Sequence, residues 1–325
     1  MNDKIKKIMF ILAMFLLTNK NVLAVTNTYI SEMKDSNGQK IYRNFNGKQE
    51  RQLSIEIGEH SSNTTTAYCI DVGLDLGDRA PISELDDNLT EYLTKVLNDS
   101  KKAKDVSNKI NQYIRFGYKY NNQNTDKYLV ATQKLIWDEL YKAGYRKEYY
   151  SNNVNFTAGN NTYDISTEEN TIKNNINNYY KTPSMCSDNT NLEIEVGETK
   201  TYEDAANVLS NYKVNCDDGL TCEIKGNKLI ITANKENSNH QIKFTKEGIA
   251  GQNNVIYQRS GEQAVIINAE SIEGVTCQFG IDSYKKTEEN ITENAPTAGS
   301  KSIITIMIGM LSLAVAYIIT RKISI

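Results

Sequence analysis

Histidine is nearly absent from this chain of 325 residues: His60 and His240 are the two it contains. A nucleophile relying on an imidazole base, or a zinc set built on histidine, is therefore poorly provided for. Proline is also scarce, at three residues, and tryptophan occurs once. With abundant Asn and Lys, these scarcities reflect base composition and carry no functional signal. There is no excess of basic charge either; the formal net charge is −3 and no basic stripe is present, which argues against nucleic acid as a partner. Cysteine is limited to five, and only Cys69, within AYCIDVG at 67–73, precedes residue 185.

What is present at the two ends sets the topology. Lys4, Lys6 and Lys7 precede an apolar run from Ile8 to Leu17, and Val22-Leu23-Ala24 is a small-residue cleavage pattern, so residues 1–24 read as a secretion signal. Residues 301–325 hold an apolar segment, Ile303 to Ile319, followed by Arg321 and Lys322; they are expected to span a membrane and leave a basic tail inside. Before it, residues 281–300 include a polar, charged run from Tyr284 to Ser300 without hydrophobic periodicity, which is expected to serve as a linker. What remains, roughly 260 residues, suffices for two domains.

Periodicity divides that remainder. From 25 to 182, short alternating runs (Gln52 to Ile57, Thr65 to Val72) predict strands. Helical spacing then follows in Leu89, Tyr92, Leu93, Val96 and Leu97, and again in Val106, Ile110, Tyr113 and Ile114. A third helix is predicted from about Thr125 to Lys142, with Leu129, Ile136, Trp137 and Leu140 on one stripe and Gly144 at its end. A fourth is expected to open on a capping box, Ser166 to Glu169, and carries Ile172, Ile176 and Tyr179. The fold class expected here is α+β. From 183 to 280 the pattern becomes short strands between Gly and Asn turns, including Leu192 to Val196, Leu229 to Thr232, Gln241 to Phe244, Val255 to Tyr257, Ala264 to Asn268 and Val275 to Phe279. An all-β sandwich of immunoglobulin-like type is expected.

Cysteines of an exported protein tend to pair. Cys216 and Cys222 bracket a short loop, and Cys186 and Cys277 lie near the two ends of the second domain; these two disulfides are expected, although other pairings remain open. Cys69 is left over. It reads either as a small buried hydrophobe or as a reactive group, and no local protease signature surrounds it.

On the third helix, Gln133 falls on the apolar stripe, four residues after Leu129 and three before Ile136. A buried amide without partners costs about 1–3 kcal/mol, so either it reaches the stripe's edge or something inside satisfies it. Tyr68-Cys69-Ile70-Asp71 on a strand, with Thr132-Gln133-x-x-Ile136-Trp137 on a later helix, resembles the paired signature of the thioester domains of Gram-positive surface adhesins. The resemblance covers residues 25 to about 182. It implies a bond between the Cys69 sulfur and the Gln133 side-chain carbonyl, open to attack by an amine on a host surface or matrix protein, giving a single covalent attachment rather than turnover. Ile136 and Trp137 would then shield the bond, Thr132 and Tyr68 would support the site, and Asp71 is read as ending the strand. The noncovalent alternative keeps the same architecture with an inert Cys69; a hydrolase using Cys69 with His60 is a third reading. Ala295-Pro296-Thr297-Ala298-Gly299 resembles a sortase sorting signal, with Ala295 and Ala298 replacing the usual Leu and Thr, so attachment to peptidoglycan or membrane on the extracellular face of a bacterium is expected.

No cofactor is expected. Asp71, Asp75 and Asp78 miss the spacing of a calcium loop, and no metal site is assigned. The tyrosines at 141, 145, 149 and 150 read either as a binding surface or as core and rim packing, the commoner cause of such a cluster.

Overall fold

The computed structural model describes residues 26–147, 150, 153–187 and 192–286. The signal at 1–24, the sorting-like motif at 295–299 and the segment 301–325 lie outside these residues. Among the described residues, no helix is long and apolar enough to cross a membrane.

The first half runs β1 (Asn27–Glu32), β2 (Ile41–Phe45), β3 (Lys48–Arg51), β4 (Leu53–His60), β5 (Asn63–Cys69), β6 (Ser83–Glu84), α1 (Leu89–Leu97), α2 (Ser100–Phe116), α3 (Asp126–Lys142), β7 (Asn155–Ala158), β8 (Asn161–Thr162) and α4 (Ser166–Tyr180). The second continues with β9 (Leu192–Glu195), β10 (Thr199–Glu203), β11 (Lys213–Cys216), β12 (Leu220–Lys225), β13 (Lys228–Ala233), β14 (Asn237–Lys246), β15 (Val255–Gln258), β16 (Val265–Ile267) and β17 (Val275–Tyr284).

The helices form where the periodicity places them, with one difference at a terminus. The expected capping box of α4 does not form: Ser166 is already helical, and its backbone N–H is taken by Asp164 at 2.9 Å. Glu169 turns instead to Lys134 of α3 at 3.1 Å and to Lys173 at 3.5 Å. A charge partner on the neighbouring helix has displaced a local cap. The reciprocal box is found on α1, between Asn88 and Glu91. At the end of α3, Gly144 has φ +93°, a left-handed conformation that glycine adopts freely.

Strands β10, β13 and β12 form one sheet of the second half, and β11, β14, β17 and β9 the other. They share a core around Ile194, Leu229, Ile231, Ile242, Phe244 and Ile281. This is the expected sandwich, with β9 running parallel to β17. Both expected disulfides are present, Cys186–Cys277 and Cys216–Cys222.

The boundary at 183 does not hold for the whole of the second half. Strands β15 and β16 leave the sandwich and enter the first sheet, whose order is β1-β4-β5-β16-β15-β6. Strands β14 and β17 pair up to Lys246↔Val275, the two chains continue as a neck with a bridge at Ile249↔Ile272, and they pair again from Val255↔Ile267 to the tip. Gly248 and Gly274 face each other at the neck; a Cβ on either would stand 2.4 Å or 2.3 Å from a carbonyl oxygen opposite, so only glycine lets the chains approach this closely. Helix α2 grips the far side of the neck: Asn111 Oδ1 accepts from the Glu270 N–H at 3.0 Å and from Asn254 Nδ2 at 2.9 Å, and Arg115 donates to the Ala269 carbonyl at 2.9 Å. Ile256, Ala264, Val265 and Ile266 are fully buried in the core of the first half.

Candidate functional site

Strand β5 changes character along its length. Its first residues alternate between exposed and half-buried, whereas Ala67, Tyr68, Cys69 and Ile70 are all buried, because both faces of the sheet are covered at that end. Cys69 is paired laterally with Val265 of β16, and the Ile70 N–H donates to the Ala264 carbonyl at 3.0 Å. The strand carrying the odd cysteine is thus internal to the sheet.

Helix α3 lies over this end of β5 and is buried on more than one face, from Leu129 through Leu140. Gln133 is 6% exposed, so the amide lies inside rather than at the stripe's edge. Its partner is the backbone of Cys69, 64 positions earlier: the Cys69 N–H donates to Gln133 Oε1 at 2.8 Å, and Gln133 Nε2 donates to the Cys69 carbonyl at 2.9 Å. Both ends of the carboxamide are satisfied by one residue. The Cys69 thiol is free of any disulfide and buried, and burial pushes it up to about 12, against a smaller lowering influence from the Arg43 guanidinium.

The supporting residues act at different distances. Asp71, read from sequence as a strand terminator, is 2% exposed; its carboxylate accepts from the Tyr145 hydroxyl at 2.9 Å and pairs with Arg146 Nε at 2.6 Å. It therefore ties the end of β5 to the turn that follows α3. Thr132 does not face the cysteine. Its hydroxyl donates to the Tyr128 carbonyl at 2.7 Å and accepts from the Tyr118 N–H at 2.9 Å, seating α3 on the end of α2. The fit there is tight, since a Cβ at Gly117 would lie 2.2 Å from the Thr132 hydroxyl. Tyr68 is buried beside the site and Ile136 is fully buried in the core.

Trp137 lines a cavity of about 480 Å³ together with Cys69, Gln133, Arg43, Asp75 and Gln263. The guanidinium carbon of Arg43 sits 4.4 Å above the Trp137 ring centroid, with Phe45 and Tyr150 around it. Arg43 is 5% exposed and pairs with Glu50 through Nη2, while its Nη1 and the Trp137 Nε1 are buried donors with no acceptor among the described residues. Each such donor costs about 1–3 kcal/mol. Sequence reading missed Arg43, although β2 carries the signal: Ile41, Arg43 and Phe45 alternate onto one face, and two of the three are apolar. It also missed Gln263, which reaches the cavity from the tip of the returning hairpin.

The remaining candidates lie apart from the pair. His60 is exposed at the far end of β4, opposite Asn63, six residues along the strand from Cys69, or roughly 20 Å at about 3.3 Å per residue. His240 is buried in the sandwich against Ser283 at 2.9 Å. The Cys69–His60 hydrolase is thereby excluded. Among the described residues no group of His, Cys, Asp and Glu could hold a metal ion. Of the tyrosine cluster, Tyr150 is 1% exposed and donates to Asp138 at 2.6 Å.

Residues 66–182 match the family described as TED, thioester domain. No curated protein matches the chain. Among solved structures, the chain is similar to the thioester domain of the Staphylococcus aureus TIE protein, with 20% identity and a TM-score of 0.44 over 80% of this chain and 99% of that one. It is also similar to the Bacillus anthracis TIE protein, with 12% identity and a TM-score of 0.33 over 80% of this chain and 48% of that one, so it spans about half of that protein's length. The matched segment contains both residues of the amide clasp, Cys69 and Gln133.

Proposed function

We propose that Cys69 and Gln133 form an internal thioester that an amine on a partner macromolecule opens, leaving the two molecules covalently joined. The observation that carries this reading is the clasp of the Gln133 amide by the Cys69 backbone. The Cys69 N–H draws electron density toward Gln133 Oε1, where negative charge gathers when the carbonyl is attacked. Its carbonyl holds Nε2 in place as the leaving nitrogen. Formation joins Cys69 Sγ to Gln133 Cδ and breaks the Cδ–Nε2 bond; the thiol proton goes to nitrogen, and ammonia departs. Such positioning supplies roughly 7–11 kcal/mol without an imidazole. In use, an amine nitrogen attacks Cδ, the C–S bond breaks, and the sulfur takes the proton that nitrogen loses. One amide forms per molecule, so the protein is an adhesin rather than a turnover enzyme. Two disulfides favour an oxidising location, in line with a protein of the extracellular bacterial face. The partner would be a host surface or matrix protein, and the C-terminus would be held by wall or membrane. The high burial of the thiol is the one observation that favours the alternative, a noncovalent binding protein with an inert Cys69.

Intact mass separates the two. Residues 26–286 contain both cores in full and are the smallest suitable unit. The expected result is a deficit of one ammonia, lost in Cys69→Ala and in Gln133→Ala, and exchanged for a methylamine adduct on treatment with that amine. A mass equal to the plain sequence, with Cys69 alkylated once the protein is unfolded, would overturn the thioester.

A further inference from the structure

One wall of the cavity beside the clasp is a strap of chain, residues 72–76, all of which line the cavity. Both of its ends are pinned to the first half. Asp71 is held by Tyr145 at 2.9 Å and Arg146 at 2.6 Å; beyond the strap, the Arg79 N–H donates to the Thr28 carbonyl at 2.7 Å and the Thr28 N–H to the Ala80 carbonyl at 3.1 Å. The middle is held differently. The one hydrogen bond between residues 72–76 and the rest of the described chain is accepted by the Asp75 carbonyl from the Gln263 N–H, at 3.2 Å. Gly73 and Asp75 are exposed and Leu74 and Leu76 only half-buried, which is the character of a segment that opens at little cost.

The hairpin tip that supplies Gln263 is braced by its own bonds. The Glu262 N–H donates to the Arg259 carbonyl at 2.9 Å, Gln258 Nε2 donates to the Glu262 carbonyl at 3.1 Å, and the Arg259 guanidinium pairs with the Glu262 carboxylate. The other oxygen of that carboxylate accepts from the Gly77 N–H at 3.2 Å, just past the strap. The Glu262 side chain is 14% exposed, so this charge-assisted bond is poorly screened by solvent. We propose that Glu262 and Gln263 latch the strap beside the clasp, so that the second half of the chain controls how freely water and amines reach the Gln133 acyl carbon. Both are positioning residues, acting through the strap. The consequence for an acyl bond rests on the thioester reading, whereas the latch itself is a property of the strap. Strands β15 and β16 continue through the neck into β14 and β17, so the latch is carried by the sandwich. A closed strap excludes water from the bond, and an open one admits it.

The test uses residues 26–286 and compares Glu262→Ala, which removes the acceptor for Gly77, with Glu262→Gln, which keeps one. Hydrolysis of the acyl bond is followed by intact mass as the gain of one water. It is expected to be about tenfold faster in Glu262→Ala, because losing a hydrogen bond to a charged group raises the open population by about that factor. Glu262→Gln should stay within about twofold of the unmodified chain. Cyclohexylamine should gain more in Glu262→Ala than methylamine, a smaller amine of similar basicity, since an opened strap relieves bulk first. If Glu262→Ala does not fold, Arg259→Ala replaces it; this removes the partner that aims the carboxylate, and a smaller acceleration in the same direction is expected. Unchanged hydrolysis with a lower Tm would overturn the proposal in favour of a purely structural contact. Equal acceleration in Glu262→Gln would overturn it as well.

A second readout does not need the thioester. In Gln133→Ala the Cys69 thiol is free, and its alkylation by iodoacetamide in the folded protein reports access to the cavity. Adding Glu262→Ala should raise the alkylation rate at pH 8 about tenfold and leave its dependence on pH unchanged, because access and not ionisation has been altered. If the ammonia deficit is absent yet Glu262→Ala speeds alkylation, the thioester reading fails and the latch stands. With the deficit present and neither hydrolysis nor alkylation altered, the latch fails alone.

Discussion

The two halves of this protein solve the same problem, holding distant chain segments together, by different means. The sandwich uses sulfur: Cys186–Cys277 joins residues 91 positions apart, and Cys216–Cys222 closes a turn of six. The first half has one cysteine and leaves it out of any disulfide, relying on hydrogen bonds and ion pairs across buried surfaces: Gln133 to the Cys69 backbone, Asp71 to Tyr145 and Arg146, and Lys134 to Asp138 and Glu169. The difference shows what the lone thiol requires. Under the proposed thioester chemistry the thiol must be kept from other thiols, and Cys69 sits inside the core of the half that contains no other cysteine.

The comparison is broken most severely by removing what the halves share. Replacing residues 250–271 by a short turn should leave the sandwich folded and unfold the first half, since β5 would become an edge and Ile256, Val265 and Ile266 would leave its core. Circular dichroism and intact mass would register the loss; a first half that still lost ammonia would show that the hairpin is dispensable. Removing disulfides comes next. By loop closure, Cys186→Ala with Cys277→Ala should cost the sandwich about 4–5 kcal/mol, and Cys216→Ala with Cys222→Ala about 2 kcal/mol. Thermal unfolding that ranks them the other way would point to native-state packing as the stronger influence.

Asp71→Asn sharpens the picture within the first half. It keeps an acceptor for Tyr145 and loses the pairing with Arg146; because that arginine is partly exposed, about 1–2 kcal/mol is expected, read as a lower Tm with the fold intact. A pH experiment examines the thiol. In Gln133→Ala, Cys69 cannot be acylated, and burial holds its ionisation near pH 12, so alkylation should be slow at pH 8 and rise about tenfold per pH unit until the thiolate dominates. A rate that levels off near pH 9 would mean a solvated thiol. The smallest effect belongs to His60→Ala, exposed and remote, which should leave the ammonia deficit unchanged and stability within about 0.5 kcal/mol.

Much of the first half was legible in its sequence. The stripe on α3 made Gln133 conspicuous, because a carboxamide on an apolar face demands a partner, and a strand with an unpaired cysteine was the matching oddity. The capping box at Ser166 was misleading because the competing partner of Glu169 lies on α3, beyond any local window. Asp71 was undervalued for a similar reason: Tyr145 and Arg146 are more than seventy positions away. Val255 to Tyr257 and Ala264 to Asn268 were correctly read as strands but given to the sandwich, whereas they join the first sheet.

That last error marks the division between sequence and structure. Side-chain periodicity indicated which segments become helices and strands and which residues face inward, and the resemblance to thioester domains pointed to Cys69 and Gln133 as a pair. Strand pairing is made by backbone groups that are alike at every position, so nothing in the residues of β16 names β5 as its neighbour. Only the tertiary structure decided that the hairpin returns, that it makes the cysteine strand internal, and that the Cys69 backbone meets the Gln133 amide at 2.8 and 2.9 Å. The physical reason is that these contacts depend on how two sheets and a helix share one core, a condition set jointly by residues from Met33 to Ile272.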